Sequence, residues 1–138
     1  MERESFPAVL DSLSGIRAYV KSAAEDAGLD GKATYNLQLA VDEIATNIIA
    51  HGYQEAGLQG DLSIEAESKS EALTVTLRDR GAPFDPRSRD LPDEEDLAKP
   101  LEERREGGLG IFLAFAGVDR FDYGREDDTN VNTFVVNR

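Results

Sequence analysis

The apolar spacing of this 138-residue chain changes once along its length, and that change restricts the fold more than any other feature of the sequence. Before Gly52, apolar residues recur every three or four positions, as they do on one face of an α-helix. After Gly60, they alternate with polar residues, as they do in a strand with one buried face. The segments at about 9–27 and 33–51 are therefore predicted to be helices, the first ending at Gly28.

The second half of the chain predicts four strands and one further helix. The alternating apolar residues of the first two strands are Leu62, Ile64 and Ala66, and then Leu73, Val75 and Leu77. Two more strands are predicted at about 119–124 and 131–137, and the apolar segment 108–117 predicts a short buried helix. This order favours an α+β fold, a two-layer α/β sandwich in which a mixed, mostly antiparallel sheet has its helices on one face. The length suits a single domain over residues 1–138.

The charge of the chain excludes some partners. With 28 acidic and 15 basic residues, the formal net charge is −13, so DNA and an anionic membrane surface would both repel the protein. A phosphate ligand is not excluded, because backbone N–H groups and a metal ion can hold one without a basic patch. We therefore expect neither direct nucleic-acid binding nor membrane association.

Several site chemistries are excluded by residues that the chain lacks. It has no cysteine and one histidine, which excludes disulfides, thiolate metal sites, a cysteine nucleophile and a zinc site built from histidines. No apolar run approaches the ~20 residues of a membrane-spanning helix, and the first residues lack the apolar core of a signal peptide. The expected location is the cytoplasm.

The second predicted helix carries a polar constellation of Glu43, Asn47 and His51. Residues four and eight positions apart lie on one helix face, and this face borders the apolar stripe. A carboxylate and an amide at that border are suited to the mouth of a pocket. The same pattern also occurs on an ordinary solvated helix face, and a histidine near a helix end often interacts with the helix dipole.

A second polar feature follows the strand that contains Leu77. Asp79 continues the inward-facing positions of that strand, and a buried carboxylate is costly unless it is paired. Arg78 and Arg80 point to the other face, so a ligand N–H donor is a candidate partner, and Gly81 permits its close approach. The alternative is an aspartate that simply opens a turn.

Two further segments lie near the end of the chain. Residues 85–106 contain 14 charged residues out of 22 and show no convincing period, which is typical of a functional lid or of a solvated loop. Gly107, Gly108 and Gly110 then open the predicted helix at 108–117. Glycine-rich backbone at a helix start is suited to phosphate binding, and it also serves as a hinge.

In this order, the motifs resemble those of the GHKL ATPase superfamily, whose Bergerat ATP-binding fold occurs in gyrase and histidine kinases. The details are most similar to the bacterial anti-sigma-factor serine/threonine kinases. The matching stretches are residues 39–53 around Glu43 and Asn47, residues 79–85 from Asp79 to Asp85, and residues 107–113. The likeness covers nearly the whole chain, and segment 85–106 corresponds to the ATP lid.

The resemblance implies a role for each matching residue. Glu43 would be the catalytic general base, and Asn47 the Mg²⁺ ligand. Asp79 would accept a hydrogen bond from the adenine amino group of ATP, with Gly81 beside it. The remaining nucleotide contacts that the resemblance implies are Phe84, Gly108, Leu109 and Gly110.

Two assignments carried by the resemblance are less direct. A threonine of the last strand often joins the adenine contact in the family, usually after a glycine. Thr133 is the best match here, although Asn132 precedes it, and Thr129 competes with it. Arg104 and Arg105, next to the glycines, are candidates for phosphate contacts from the lid, or ordinary solvated charges.

The resemblance implies an ATP- and Mg²⁺-dependent protein serine kinase. Its substrate would be an anti-anti-sigma factor, its second partner a sigma factor, and its usual assembly a homodimer. A histidine-kinase catalytic domain and an ATP-binding module without kinase activity remain alternatives. The absence of an upstream phosphoacceptor helix argues against the first alternative, and Glu43 argues against the second, since a pure binder needs no base.

Overall fold

The computed structural model describes residues 1–88 and 115–138, which form a five-stranded sheet with two helices on one face. The helices are α1 Leu13–Asp26 and α2 Gly31–Asn47. The strands are β1 Glu4–Pro7, β2 Asp61–Ser68, β3 Ala72–Asp79, β4 Arg120–Glu126 and β5 Thr129–Asn137. The predicted α+β sandwich is confirmed, and so are the two leading helices and all four predicted strands, β2 to β5.

The sheet has the strand order β1-β2-β3-β5-β4, and each neighbouring pair of these strands is antiparallel. Within the described residues the sheet is therefore antiparallel throughout, and the sequence predicts a mixed, mostly antiparallel one. The central strand β3 places Asp79 opposite Leu62 on one side and opposite Asn130 on the other. Its inward positions are buried in strict alternation, as the period of two requires.

The two helices cover the sheet through their apolar faces. In α1 the buried residues are Ile16, Tyr19, Val20, Ala23 and Ala24. The helix ends where Gly28 takes a positive φ of 76°, a conformation that glycine adopts without strain. In α2 the buried residues are Leu37, Ala40, Val41, Ile44, Ala45 and Asn47. The Asp30 carboxylate accepts the Ala33 N–H at 2.8 Å and so caps the start of this helix.

A π-helical segment, Ile48–Gln54, continues α2 beyond the helix end that the sequence predicts near residue 51. At the carboxyl end of this segment two hydrogen bonds span five residues instead of four. Glu55 donates its N–H to the Ala50 carbonyl at 2.9 Å, and Leu58 donates to the Tyr53 carbonyl at 2.9 Å. Such a widened turn changes which backbone N–H and C=O groups lack a partner within the helix and can bond to other parts of the chain.

The edge strand β1 is absent from the sequence-based prediction. It has only four residues, most of them exposed, and it ends at Pro7, so its alternation is too short to stand out. Its pairing with β2 is supported by Tyr19, whose hydroxyl donates to the Glu2 carbonyl at 2.7 Å and accepts the Ala66 N–H at 3.1 Å.

Most of the predicted lid and of the predicted helix 108–117 lies outside the described residues. Of the helix, Phe115 and Ala116 are described and have helical backbone. The Phe115 ring stacks on Phe121 of β4 with 5.0 Å between ring centroids. Within the two ranges that the structure describes, no helix has the length and apolar character needed to cross a membrane.

Tyr53 connects the π-helical segment to the sheet, and its removal tests this link. The side chain is 2% exposed, and its hydroxyl donates to the Asp61 carbonyl at 3.1 Å and accepts the Arg80 N–H at 3.0 Å. Tyr53→Phe leaves both backbone groups without this partner, so we expect the free energy of unfolding to fall by about 1–3 kcal/mol in urea denaturation.

Tyr35→Phe is the matched control, because the Tyr35 side chain is 64% exposed. We expect it to change the free energy of unfolding by less than about 0.5 kcal/mol. Equal losses in the two variants would contradict a structural role for the Tyr53 hydroxyl.

Candidate functional site

The carboxylate of Asp79 lies inside the protein, at the end of the central strand, with 3% of the residue exposed. Its Oδ1 accepts the Gly81 N–H at 2.9 Å and the Asn130 Nδ2 at 3.1 Å. Its Oδ2 is buried and has no hydrogen-bond partner among residues 1–88 and 115–138. Loss of hydration raises the pKa of Asp79, and the two hydrogen bonds and the positive charge of Arg125 only partly offset this effect.

Asn130 is a site residue that the sequence analysis missed. It lies directly opposite Asp79 in the β3–β5 register, and its Nδ2 also donates to the Ala82 carbonyl at 3.1 Å. Its Oδ1 accepts from the Tyr123 hydroxyl and from Arg125 Nη1, the latter at 3.0 Å. The sequence analysis excluded only the neighbouring arginines as partners of Asp79, and the structure adds Asn130 and the Gly81 N–H as partners of Oδ1.

Thr133 lies on the wrong face of β5 for the adenine contact that the resemblance implies. It pairs with Thr76, and the buried positions of the strand are those on either side of it, Asn132 and Phe134. Thr129 has the same parity as Thr133, so neither threonine faces the Asp79 carboxylate. Asn130 occupies the position opposite Asp79 instead.

Gly81 is required by close packing behind the Asp79 carboxylate. A Cβ atom at this position would lie 2.6 Å from the Gly52 carbonyl oxygen and 2.9 Å from the Tyr53 ring. The neighbouring Ala82 N–H donates to the same Gly52 carbonyl at 2.9 Å. The turn after β3 is thus bound directly to the π-helical segment. The close approach of a ligand at Gly81 stays a prediction.

The Asn47 side chain is 7% exposed and is oriented by its own helix. Its Nδ2 donates to the Glu43 backbone carbonyl at 2.7 Å, so its Oδ1 is the atom left to face another ligand. Glu43 lies one turn earlier on α2 and is half-buried. The predicted proximity of these two residues on one helix face is confirmed.

His51 connects the helix to the turn that contains Phe84. The two rings stack with 5.1 Å between centroids and 23° between planes. The Nδ1 atom of His51 also lies 2.5 Å from Oε2 of Glu55. Phe84, a predicted nucleotide contact, is therefore half-buried against the π-helical segment, which brings the helix motif and the Asp79 motif together.

The other predicted site residues, Arg105, Gly108, Leu109 and Gly110, lie outside the described residues. Their proposed phosphate contacts remain predictions. So does the competing assignment of Arg104.

The described residues fit both ligands that the resemblance implies. The unpartnered Oδ2 of Asp79 is a buried acceptor that suits an N–H donor such as the adenine amino group. The Asn47 amide oxygen suits Mg²⁺, which prefers oxygen ligands. Over residues 1–88 and 115–138, no group of three carboxylate or imidazole side chains could hold a metal, so Asn47 would need phosphate oxygens and water as further ligands.

The raised pKa of Asp79 predicts a pH dependence of stability. Between about pH 4, the pKa of an unfolded aspartate, and the higher folded value, the folded protein binds more protons than the unfolded chain. The contribution of Asp79 to the free energy of unfolding therefore falls as pH rises through this window. Asp79→Asn should gain stability relative to the parent protein over the same window, as measured by urea denaturation at a series of pH values.

Asp61→Asn is the control for this series, since it removes one negative charge from an exposed strand position. If the difference in the free energy of unfolding between Asp79→Asn and the parent did not vary with pH, the burial of an ionised Asp79 would not lower the stability of the folded protein.

Comparison with known proteins identifies the family of the chain. A model of the histidine kinase-like ATPase domain matches residues 6–136. The serine-protein kinase RsbW of Halalkalibacterium halodurans is 27% identical over 117 residues, covering 84% of this chain and 70% of the relative. The serine-protein kinase RsbW of Staphylococcus aureus is 27% identical over 129 residues, covering 91% and 80%.

Solved structures show the same fold at lower identity. The histidine kinase domain of the blue-light activated histidine kinase EL346 from Erythrobacter litoralis gives a TM-score of 0.53 at 15% identity over 90% of this chain. The Acinetobacter baumannii histidine kinase AdeS gives 0.52 at 15% identity over 99%. The chain spans 60% of the length of the first of these structures and 68% of the second. The family model covers almost the whole sequence and the sheet and helices agree with it, so the chain belongs to the histidine kinase-like ATPase family.

Proposed function

We propose that the protein is an ATP- and Mg²⁺-dependent protein serine kinase of the anti-sigma-factor type, acting in the bacterial cytoplasm. Its substrate would be a serine of an anti-anti-sigma factor, and it would also sequester a sigma factor. The observation that carries the proposal is the buried, unpartnered Oδ2 of Asp79 at the end of β3. Similarity to two proteins named serine-protein kinase over most of the chain supports the reaction class.

Asp79 would select the base. Its Oδ1 is already held by Asn130 and Gly81, so the carboxylate is oriented before any ligand arrives, and Oδ2 is left to accept from the adenine amino group. A ligand donor at this atom removes the cost of an unsatisfied buried acceptor.

Asn47 would hold the metal ion. Its Nδ2 hydrogen bond to the Glu43 carbonyl presents Oδ1 as a neutral oxygen ligand, which an aspartate could not do while making the same bond. Mg²⁺ keeps several water ligands and usually takes only one or two ligands from the protein.

Glu43 would act on the substrate hydroxyl, one helical turn from the metal ligand. It would accept the serine proton while the serine oxygen bonds to the terminal phosphorus and the bond to ADP breaks. ATP, when bound, supplies the transferred phosphoryl group and the leaving group. The other role of the protein would be to position ATP and the substrate serine, which suits a site whose side chains lie on a helix and a strand.

The first test concerns base selection by Asp79. Asp79→Asn replaces the acceptor Oδ2 by an amide NH2 group, which would face the amino group of adenine donor to donor. We therefore expect the free energy of ATP binding to weaken by at least about 1.5 kcal/mol, the scale of a hydrogen bond to a charged group. Isothermal titration calorimetry measures this, with Asp61→Asn as the charge control. Unchanged ATP affinity in a folded Asp79→Asn variant would contradict the assignment.

The second test separates metal binding from proton transfer on α2. Asn47→Ala should lower both Mg-ATP affinity and turnover, because Asn47 would hold the metal ion both in the nucleotide complex and during phosphate transfer. Glu43→Ala should leave ATP affinity nearly intact and slow phosphate transfer by about 10²–10⁴-fold. Sigma-factor capture by the Glu43 variant should survive, since it would need the bound nucleotide but not the transfer.

The measurements are ATP affinity, transfer of labelled phosphate to an anti-anti-sigma protein, and capture of the sigma factor. Glu25→Ala, an exposed position on α1, is the matched control. Transfer at the parental rate in Glu43→Ala would exclude this residue as the base. Joint loss of transfer and ATP affinity in that variant would show that the helix face works as one binding unit. ATP binding without transfer by the parent protein would favour an ATP-binding module without kinase activity.

A further inference from the structure

The amide of Asn130 can hold Asp79 in only one of its two orientations. Its Nδ2 donates to the Asp79 Oδ1 at 3.1 Å, and to the carbonyls of Gly81 and Ala82 at 3.3 and 3.1 Å. If the amide were turned by half a rotation, its Oδ1 would face the same oxygen acceptors, and each contact would be repulsive. The position of the Asp79 carboxylate therefore depends on the groups that fix the orientation of this amide.

Two side chains of β4 bind the other end of the amide. The Tyr123 hydroxyl donates to the Asn130 Oδ1, and Arg125 Nη1 donates to the same oxygen at 3.0 Å. A hydroxyl can rotate and accept from an amide that has turned, whereas a guanidinium has donors and no acceptor. Arg125 is therefore the neighbour that makes the turned orientation unfavourable.

Arg125 also contacts the turn behind Asp79. It lies directly opposite Asn130 in the β4–β5 register, and its Nη1 donates to the Gly81 carbonyl at 3.3 Å. Arg125 is an exposed residue, so water can solvate its charge, and the fold does not need these contacts to accommodate it. One guanidinium nitrogen thus contacts both the amide that orients Asp79 and the turn that contains Gly81.

The charge of Arg125 acts on the carboxylate in the same sense as the hydrogen bonds. Loss of hydration raises the pKa of Asp79, and the hydrogen bonds from Asn130 and Gly81 and the charge of Arg125 lower it in part. Without this charge, a larger fraction of Asp79 would be protonated at a given pH. A protonated carboxyl is a weaker acceptor for an N–H donor than a carboxylate.

The remaining neighbours of Asp79 among residues 1–88 and 115–138 bring no positive charge to it. On β2 the residue opposite Asp79 is Leu62. The π-helical segment contributes Tyr53, and burial raises the pKa of this phenol, which keeps it neutral. Arg78 and Arg80 flank Asp79 on its own strand and point to the other face of the sheet. The guanidinium on β4 is therefore the cation that acts on this carboxylate.

We propose that Arg125 is a positioning residue for nucleotide binding, which holds the Asn130 amide in one orientation and thereby keeps Asp79 Oδ2 turned to the ligand as an acceptor. This inference rests on the proposed function, because it requires that the protein binds ATP. Arg125 would touch neither the base nor the phosphates, and its effect would reach the ligand through Asn130 and Asp79. Its loss would let the amide turn and would raise the pKa of Asp79, so ATP affinity would fall most on the acidic side.

The first test compares Arg125→Gln with Arg125→Lys, by calorimetry with Mg-ATP over about pH 5.5–8.5. Arg125→Gln removes the charge and introduces an amide that tolerates either orientation of Asn130. We expect its ATP affinity to fall about three- to ten-fold, and the decline on acidification to begin about 0.5–1 pH unit higher than in the parent. Arg125→Lys keeps a charge and a donor without the planar fork, so it should restore the pH profile and part of the affinity.

Arg120→Gln is the matched control on the same strand. Arg120 is exposed, pairs with Asp122 and lies opposite Val135, away from Asn130. Its loss removes the same charge from β4, and this variant should bind ATP as the parent does at every pH. ATP and every titratable group other than the substituted one are the same in all these proteins, so a difference between two profiles reports on the substitution.

A double-mutant cycle tests whether the effect passes through Asn130. At the alkaline end of the pH series, Asn130→Ala should lower ATP affinity by itself. Adding Arg125→Gln should then lower it by less than about two-fold more, because the amide that Arg125 orients is already gone. Tyr123→Phe removes the other donor to Asn130 and keeps the charge, so it should lower the affinity less than Arg125→Gln and leave the pH profile unchanged. This variant serves if Asn130→Ala does not fold.

The outcomes distinguish this inference from the proposed function. If the parent binds ATP and Asp79→Asn weakens binding, but Arg125→Gln matches the parent at every pH, the inference is overturned and the proposed function stands. If the parent does not bind ATP, the proposed function fails and the inference fails with it.

Three further results would overturn the inference alone. A loss of affinity in Arg125→Gln that is equal at every pH, or as large without Asn130 as with it, would show that Arg125 contacts the ligand itself. A shift of the pH profile in Tyr123→Phe as large as that in Arg125→Gln would show that the charge is not its cause. Lower urea stability of Arg125→Gln together with parental ATP affinity would show that Arg125 has a structural role only.

Discussion

The buried carboxylate of Asp79 is the group around which the rest of the site is arranged. An ionised carboxylate inside a protein is stable only if hydrogen bonds replace its hydration, and within the part of the chain that the structure describes only one of its two oxygens is satisfied. Asn130 holds that oxygen, and Tyr123 and Arg125 in turn hold Asn130. The second oxygen is thereby fixed in position before any ligand binds, which lowers the ordering cost of recognition.

The π-helical segment brings the helix and the turn after β3 to the same place. An extra residue per turn leaves the Gly52 carbonyl to accept the Ala82 N–H rather than a hydrogen bond from its own helix. Gly81 then packs so closely on that carbonyl that no side chain fits. His51 and Phe84 complete the contact by stacking. The helix that carries Asn47 and the strand that carries Asp79 are consequently joined by a backbone hydrogen bond as well as by side-chain contacts.

Stability and recognition oppose each other in this arrangement. The unpartnered atoms of Asp79 and Asn132 lie within or beside an otherwise apolar core that includes Leu77 and Phe134. Each of them lowers the stability of the free protein, and a ligand that pairs with them would stabilise the folded state by mass action. In the proposed nucleotide site, selectivity would follow because a base without an N–H donor at this place leaves Oδ2 of Asp79 unsatisfied.

The sequence determined the order of the elements and the identity of the motifs. Apolar spacing was sufficient to predict both leading helices and four strands, and a period of two was sufficient to turn Asp79 inward. Glu43 and Asn47 lie one turn apart, so their proximity also follows from local geometry. These regularities are short-range, since each depends only on residues that are close together in the sequence.

The partners of Asp79 were decided only by the tertiary structure. Asn130 is 51 positions away from Asp79, and a shift of one residue in the register of β5 would have turned Thr129 or Thr133 inward in place of the asparagines. The π-helical segment and the short edge strand β1 depend in the same way on contacts with distant parts of the chain. Register between strands far apart in sequence is set by packing of the whole sheet, and no local pattern of residues encodes it.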